Sequence, residues 1–64
     1  MTQRQVLKKC EIAKKKGEAV LPDGDIIRYY DTTQEYALIS SADRVHHTIC
    51  VTYKPEFIAE LCAY

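Results

Sequence analysis

A chain of 64 residues that is 47% hydrophobic and 28% charged has the composition of an ordinary globular protein, which excludes a disordered segment. Nine basic and nine acidic residues leave a formal charge of zero, so no global field draws the chain toward nucleic acid or an anionic surface. No apolar run approaches the ~20 residues of a membrane span, and "MTQRQVLKKC" lacks the apolar region of a secretory signal.

The first predicted element is a helix over about residues 3–16. Thr2 followed by Gln5 matches a capping box, in which hydroxyl and amide satisfy orphan backbone donors reciprocally. Val6, Cys10 and Ala13 share one helical face, with Leu7 beside them, and Gly17 suits the stop, where φ turns positive. Ile12 projects away from that stripe, among the lysines. Arg4, Lys8, Lys9, Lys14, Lys15 and Lys16 against Glu11 give residues 1–16 a charge of +5, and the remainder carries −5.

After Gly17 the hydrophobic period changes from 3.6 to 2. Pro22-Asp23-Gly24 is a hairpin turn, since Pro presets φ, Asp bonds nearby backbone and Gly relaxes the exit. It separates strands predicted at about 18–21 and 25–30. "DTTQ" is a second turn, "EYALIS" a third strand at about 35–40, and "SADR" a third turn. "VHHTICVTY", about 45–53, is dominated by β-branched and aromatic residues and reads as a fourth strand. Pro55 then opens a short helix over about 55–63, with Glu56 at the positive end of its dipole.

The expected fold is therefore a small single α+β domain: an N-terminal helix, a three- to four-stranded antiparallel meander and a short C-terminal helix. Short connections force neighbouring strands to be antiparallel, and two amphipathic helices find their shared partner on one sheet face. The opposite sheet face is then open.

"RVHHTICVTY" invites a metal reading, which strand geometry opposes. Alternation places Val45, His47, Ile49, Val51 and Tyr53 on the expected core face, and His46, Thr48, Cys50 and Thr52 on the other. His46 and His47 therefore point apart, and His46 and Cys50 lie roughly 13 Å apart along a strand. Neither pair can share an ion. Cys10, His47 and Cys62 could converge inside the fold, but the chain has no C-x₂₋₄-C pair, and buried cysteines ordinarily act as small hydrophobes. We expect His47 buried, His46 exposed and no bound metal or cofactor.

No Walker A loop, G-x-G-x-x-G, H-E-x-x-H or nucleophile elbow occurs, so we expect no catalytic residues and no enzyme. The row Arg4, Lys8, Lys9, Lys15 and Lys16 fits a phosphate backbone, although lysines in a last helical turn also complement the dipole. A sequence pI of about 6.7 sets this chain apart from dedicated nucleic-acid binders. We therefore expect a non-enzymatic protein–protein interaction module, a small cytoplasmic regulator or inhibitor that occludes a partner's surface. Its size class includes regulators carried by phage and mobile elements. The expected interaction residues are Ile12, Tyr30, His46, Thr48, Cys50 and Thr52. A nucleic-acid-associated protein using the basic helix face is the alternative.

Size and cysteines complete the expectations. A domain this small buries only roughly 60% of its unfolded surface, which leaves a thin stability margin. The partner is thus another protein or a second copy, and we expect a homodimer formed through the open sheet face or the Ile12 flank, with no membrane partner. Three cysteines, an odd number without framework spacing, fit reduced thiols in a cytoplasm. The start at Met1, with no purification scar, leads to the expectation of a complete small gene product.

Overall fold

The computed structural model describes residues 1–42 and 45–62, with Ala42 described by its backbone alone. The order is α1 (Gln3–Lys16), β1 (Glu18–Val20), β2 (Ile26–Tyr30), β3 (Glu35–Ala42), β4 (Val45–Thr52) and α2 (Pro55–Cys62). The strands form one antiparallel sheet in the order β1-β2-β3-β4, a simple meander. The expected α+β fold is thus the observed one. Part of the expected third turn, Asp43 and Arg44, and the last expected helical residue, Ala63, lie outside the described residues.

Local chemistry sets the element boundaries. The capping box forms in full: the Gln5 amide N–H donates to Thr2 Oγ1 at 3.2 Å, and the Thr2 N–H donates to Gln5 Oε1 at 2.8 Å. α1 stops at Gly17, whose φ of 97° is open to glycine and whose N–H donates to the Ala13 carbonyl at 2.7 Å. In the first hairpin the Gly24 N–H donates to the Leu21 carbonyl at 3.0 Å, and the Leu21 N–H donates to the Asp25 carbonyl at 2.7 Å. Asp23 Oδ1 accepts from the Asp25 N–H at 3.1 Å, the local bond expected of an Asp in a turn. The second hairpin turns through Gln34, which holds a left-handed φ of 59°.

Both helices cover the same face of the sheet. Val6, Cys10 and Ala13 of α1 and Ile58 and Ala59 of α2 meet Ala19, Leu21, Ile27, Tyr36 and Leu38 in a single core. Ile27, Ile58 and Val6 are fully buried, each stabilising the fold by about 1.5–3 kcal/mol. Tyr29 and Tyr36 stack at the lower edge of this core, ring centroids 4.9 Å apart and tilted by 56°. No charged side chain is buried among the described residues.

The fourth strand departs from the expected phase. Leu38 pairs with Cys50 but Ile39 pairs with Thr48, so Ile49 is an extra residue in a β-bulge. Past the bulge, the last pair made by β2 is Ile26 with Ile39. The pairs Ser40–His47, Ser41–His46 and Ala42–Val45 therefore extend beyond β2 as a two-stranded ribbon. His47 points to the side of the helices as expected, yet it is exposed, on a ribbon that runs past the last residue paired by β2. The expected burial of Val45, His47, Ile49, Val51 and Tyr53 is overturned, since all five are exposed. Below the bulge it is Cys50 and Thr52 that turn toward the helices.

Candidate interaction surface

Residues directly opposed in an antiparallel ladder share a face. Ile27 and Leu38 lie in the core, so Ile26, Arg28 and Tyr30 of β2, and Ala37 and Ile39 of β3, point to the face that no helix covers. Following the register outward, Val20, Ile26, Ile39 and Thr48 lie side by side across all four strands. A second row holds Glu18, Arg28, Ala37 and Val51, and shorter rows hold Tyr30 with Glu35 and Ser41 with His46.

This face is unusually apolar for one without a covering layer. An antiparallel sheet with one solvated face normally alternates apolar inward with polar outward. Here Ala37 is 0% exposed and Ile39 only 7%, each flanked by paired residues on both neighbouring strands. Val20, Tyr30 and Val51 stand exposed around them. The face carries Glu18, Arg28 and Glu35, and on the inner strand β2 Arg28 Nη2 meets Glu18 Oε2 of β1 at 3.4 Å, an exposed pair worth about 0–1 kcal/mol.

Of the expected interaction residues, Tyr30, His46 and Thr48 lie on this face and are exposed. Cys50 and Thr52 do not. They lie opposite Leu38 and Tyr36 on the covered side and are half-buried, because the bulge at Ile49 reverses the phase of everything after it. Ile12 is exposed on α1, away from the stripe Val6, Cys10 and Ala13, and belongs to a different surface. Sequence reasoning missed Val20, Ile26, Ile39 and Val51. Their signal was the unbroken run Ala37-Leu38-Ile39, which marks a strand apolar on both faces.

The basic residues form a second array. Arg4, Lys8, Lys15 and Lys16 are exposed and Lys9 is half-buried. At helical spacing, Arg4, Lys8 and Lys15 fall opposite the buried stripe, with Lys9 and Lys16 to one side.

The covered side holds little that suggests chemistry. All three cysteines are free. Burial pushes the Cys10 thiol up to about 11, helped by Cys62 and the negative charge of Glu56. Cys62 is raised by burial and then by Asp23, Asp25 and Cys50, and Tyr36 by burial and then by Tyr29. Cys10 and Cys62 adjoin the core while His47 stands on the ribbon, so the three do not converge. Among the described residues no three His, Cys, Asp or Glu side chains gather around a possible ion. A recess of about 110 Å³ lined by Met1, Leu21, Pro22, Asp23 and Cys62 falls below the ~300 Å³ at which ligand pockets begin. Among the described residues no helix is long and apolar enough to cross a membrane.

Comparison with known proteins finds no matching family model, no matching curated protein and no matching solved structure.

Proposed function

We propose that the chain is a non-enzymatic protein–protein interaction module, a small cytoplasmic regulator or inhibitor whose open sheet face occludes a partner's surface. The observation that supports this reading is the uncharged row Val20, Ile26, Ile39 and Thr48, apolar in its first three members, which crosses all four strands on the side without helices. Interface centres are depleted of charge and enriched in aromatic and aliphatic groups, and on this face Val20, Ile26 and Ile39 form an uncharged row, while Arg28 in the next row is paired with Glu18. The free cysteines agree with a reducing compartment. A second reading, nucleic-acid association, rests on the exposed row Arg4, Lys8 and Lys15 facing away from the core.

Capture from a host lysate on immobilised protein, with and without nuclease, separates the two. A protein partner that survives nuclease supports the module. Loss of every partner on nuclease treatment, with elution by moderate salt, contradicts it in favour of the basic row.

A further inference from the structure

The two edges of the sheet differ. β1 is three residues long, begins at charged Glu18 and is followed closely by Pro22, and shortness, charge and proline are the devices that blunt an edge. β4 is eight residues long, pairs on one side only, and has no Asp, Glu, Lys or Arg between Val45 and Tyr53. Six of the nine large hydrophobic residues exposed among the described residues fall between residues 45 and 61: Val45, Ile49, Val51, Tyr53, Phe57 and Leu61.

α2 carries this apolar strip onward. Ile58 and Ala59 form the side of α2 that packs into the core, and Glu56 is exposed. Phe57 and Leu61, one turn apart, lie on another flank, and Lys54 Nζ sits 5.9 Å from the Phe57 ring just past the end of β4. The open backbone edge and the apolar flank are thus neighbours.

We propose that a second copy of this chain pairs its β4 antiparallel with the first, joining two sheets into one of eight strands. An antiparallel pair can be related to itself by a two-fold axis, which makes an edge of this kind self-complementary. An axis near Val51 pairs residues 49–53 and sets Ile49 of each copy, at the bulge, against Tyr53 of the other, just past the end of β4, a favourable β-branched–aromatic pair. It also keeps the bulge at the margin of the pairing and brings the two Phe57–Leu61 flanks together. No like charges meet along the strand, because it carries none. Past Tyr53, the next ionic residues, Lys54 and Glu56, are opposite in sign. All helices remain on one side, and the open faces join into a single surface of twice the width. The edge pairing itself does not depend on what that surface binds.

Sedimentation of the full chain from low micromolar to near-millimolar concentration tests the pairing. The expected result is a species of twice the 7.4 kDa chain mass, with a thermal midpoint that rises with concentration. Phe57→Glu and Leu61→Glu alter exposed positions, so they should fold with unchanged circular dichroism and weaken self-association at least tenfold. Val20→Lys, on the open face, should leave it unchanged. A monomer at near-millimolar concentration overturns the proposal. So does a dimer that survives both α2 variants, or one that only Val20→Lys disrupts. Loss of lysate capture by Val20→Lys with the dimer intact keeps the two surfaces distinct.

Discussion

Cys10 illustrates how one buried side chain reports on the whole fold. Its thiol is 1% exposed and holds its proton up to about pH 11, against an ordinary value of 9.0, because burial penalises the thiolate. Between those values the folded chain binds more protons than the unfolded one, so stability must fall as pH rises. The contribution is complete below pH 9.0 and lost as pH passes through about 11. Cys62 and Tyr36, also raised, act in the same direction. The urea midpoint is therefore expected to drop between pH 9 and 11, and Cys10→Ala should remove part of that drop while lowering the midpoint at pH 8. A midpoint that holds steady or climbs over this interval would count against the buried, protonated thiol. At the same scale, Thr2, Gln5, Gly17, Pro22, Gly24 and Pro55 were readable in the sequence because each acts within a few residues of itself. His47 was not readable, since its exposure depends on β2 ending at Ile26 on a distant segment.

The elements show where local rules stop. Alternation along β4 was a sound expectation, but it assumed an unbroken ladder. The extra Ile49 opposite the Leu38–Ile39 step reversed the faces of Cys50, Val51 and Thr52, and a bulge has no composition signal as plain as Pro22-Asp23-Gly24. β3 had a clearer signature. Its apolar run has no alternation to assign, and both of its faces proved apolar. The β2–β3 connection holds a cost of its own. Gln34 has a φ of 59°, a left-handed conformation that disfavours L-residues by about 1–2 kcal/mol. Replacing it with glycine should raise stability by about 0.5–1 kcal/mol, the relief being offset in part by glycine's greater unfolded freedom. Gly24→Ala, where φ is 94°, should do the opposite. Urea titrations of the two variants would show opposite shifts, and a Gln34→Gly variant no more stable than the parent would place the relief of strain below the glycine cost.

At the scale of the whole molecule, two layers account for one side of the sheet and leave the other apolar. A domain of this size has few kcal/mol in hand. Leaving Val20, Tyr30 and Val51 in water forgoes burial that a solvated monomer could avoid with polar residues, and this face therefore carries the functional reading. Its composition was partly legible, through Tyr30, His46 and Thr48, while the row that organises it emerges only from the pairing register. The charge split between residues 1–16 and the rest is readable from sequence alone, and it maps to an exposed helix face away from the sheet's open side.

The most direct measurement compares binding with stability in one variant, Val20→Lys. Val20 is 58% exposed, so a lysine there should shift the unfolding midpoint by no more than about 0.5 kcal/mol. If the open face is the working surface, the same substitution should abolish capture of the nuclease-resistant protein partner. Capture that persists at the parent's level, with the variant folded and equally stable, would contradict the assignment of this face.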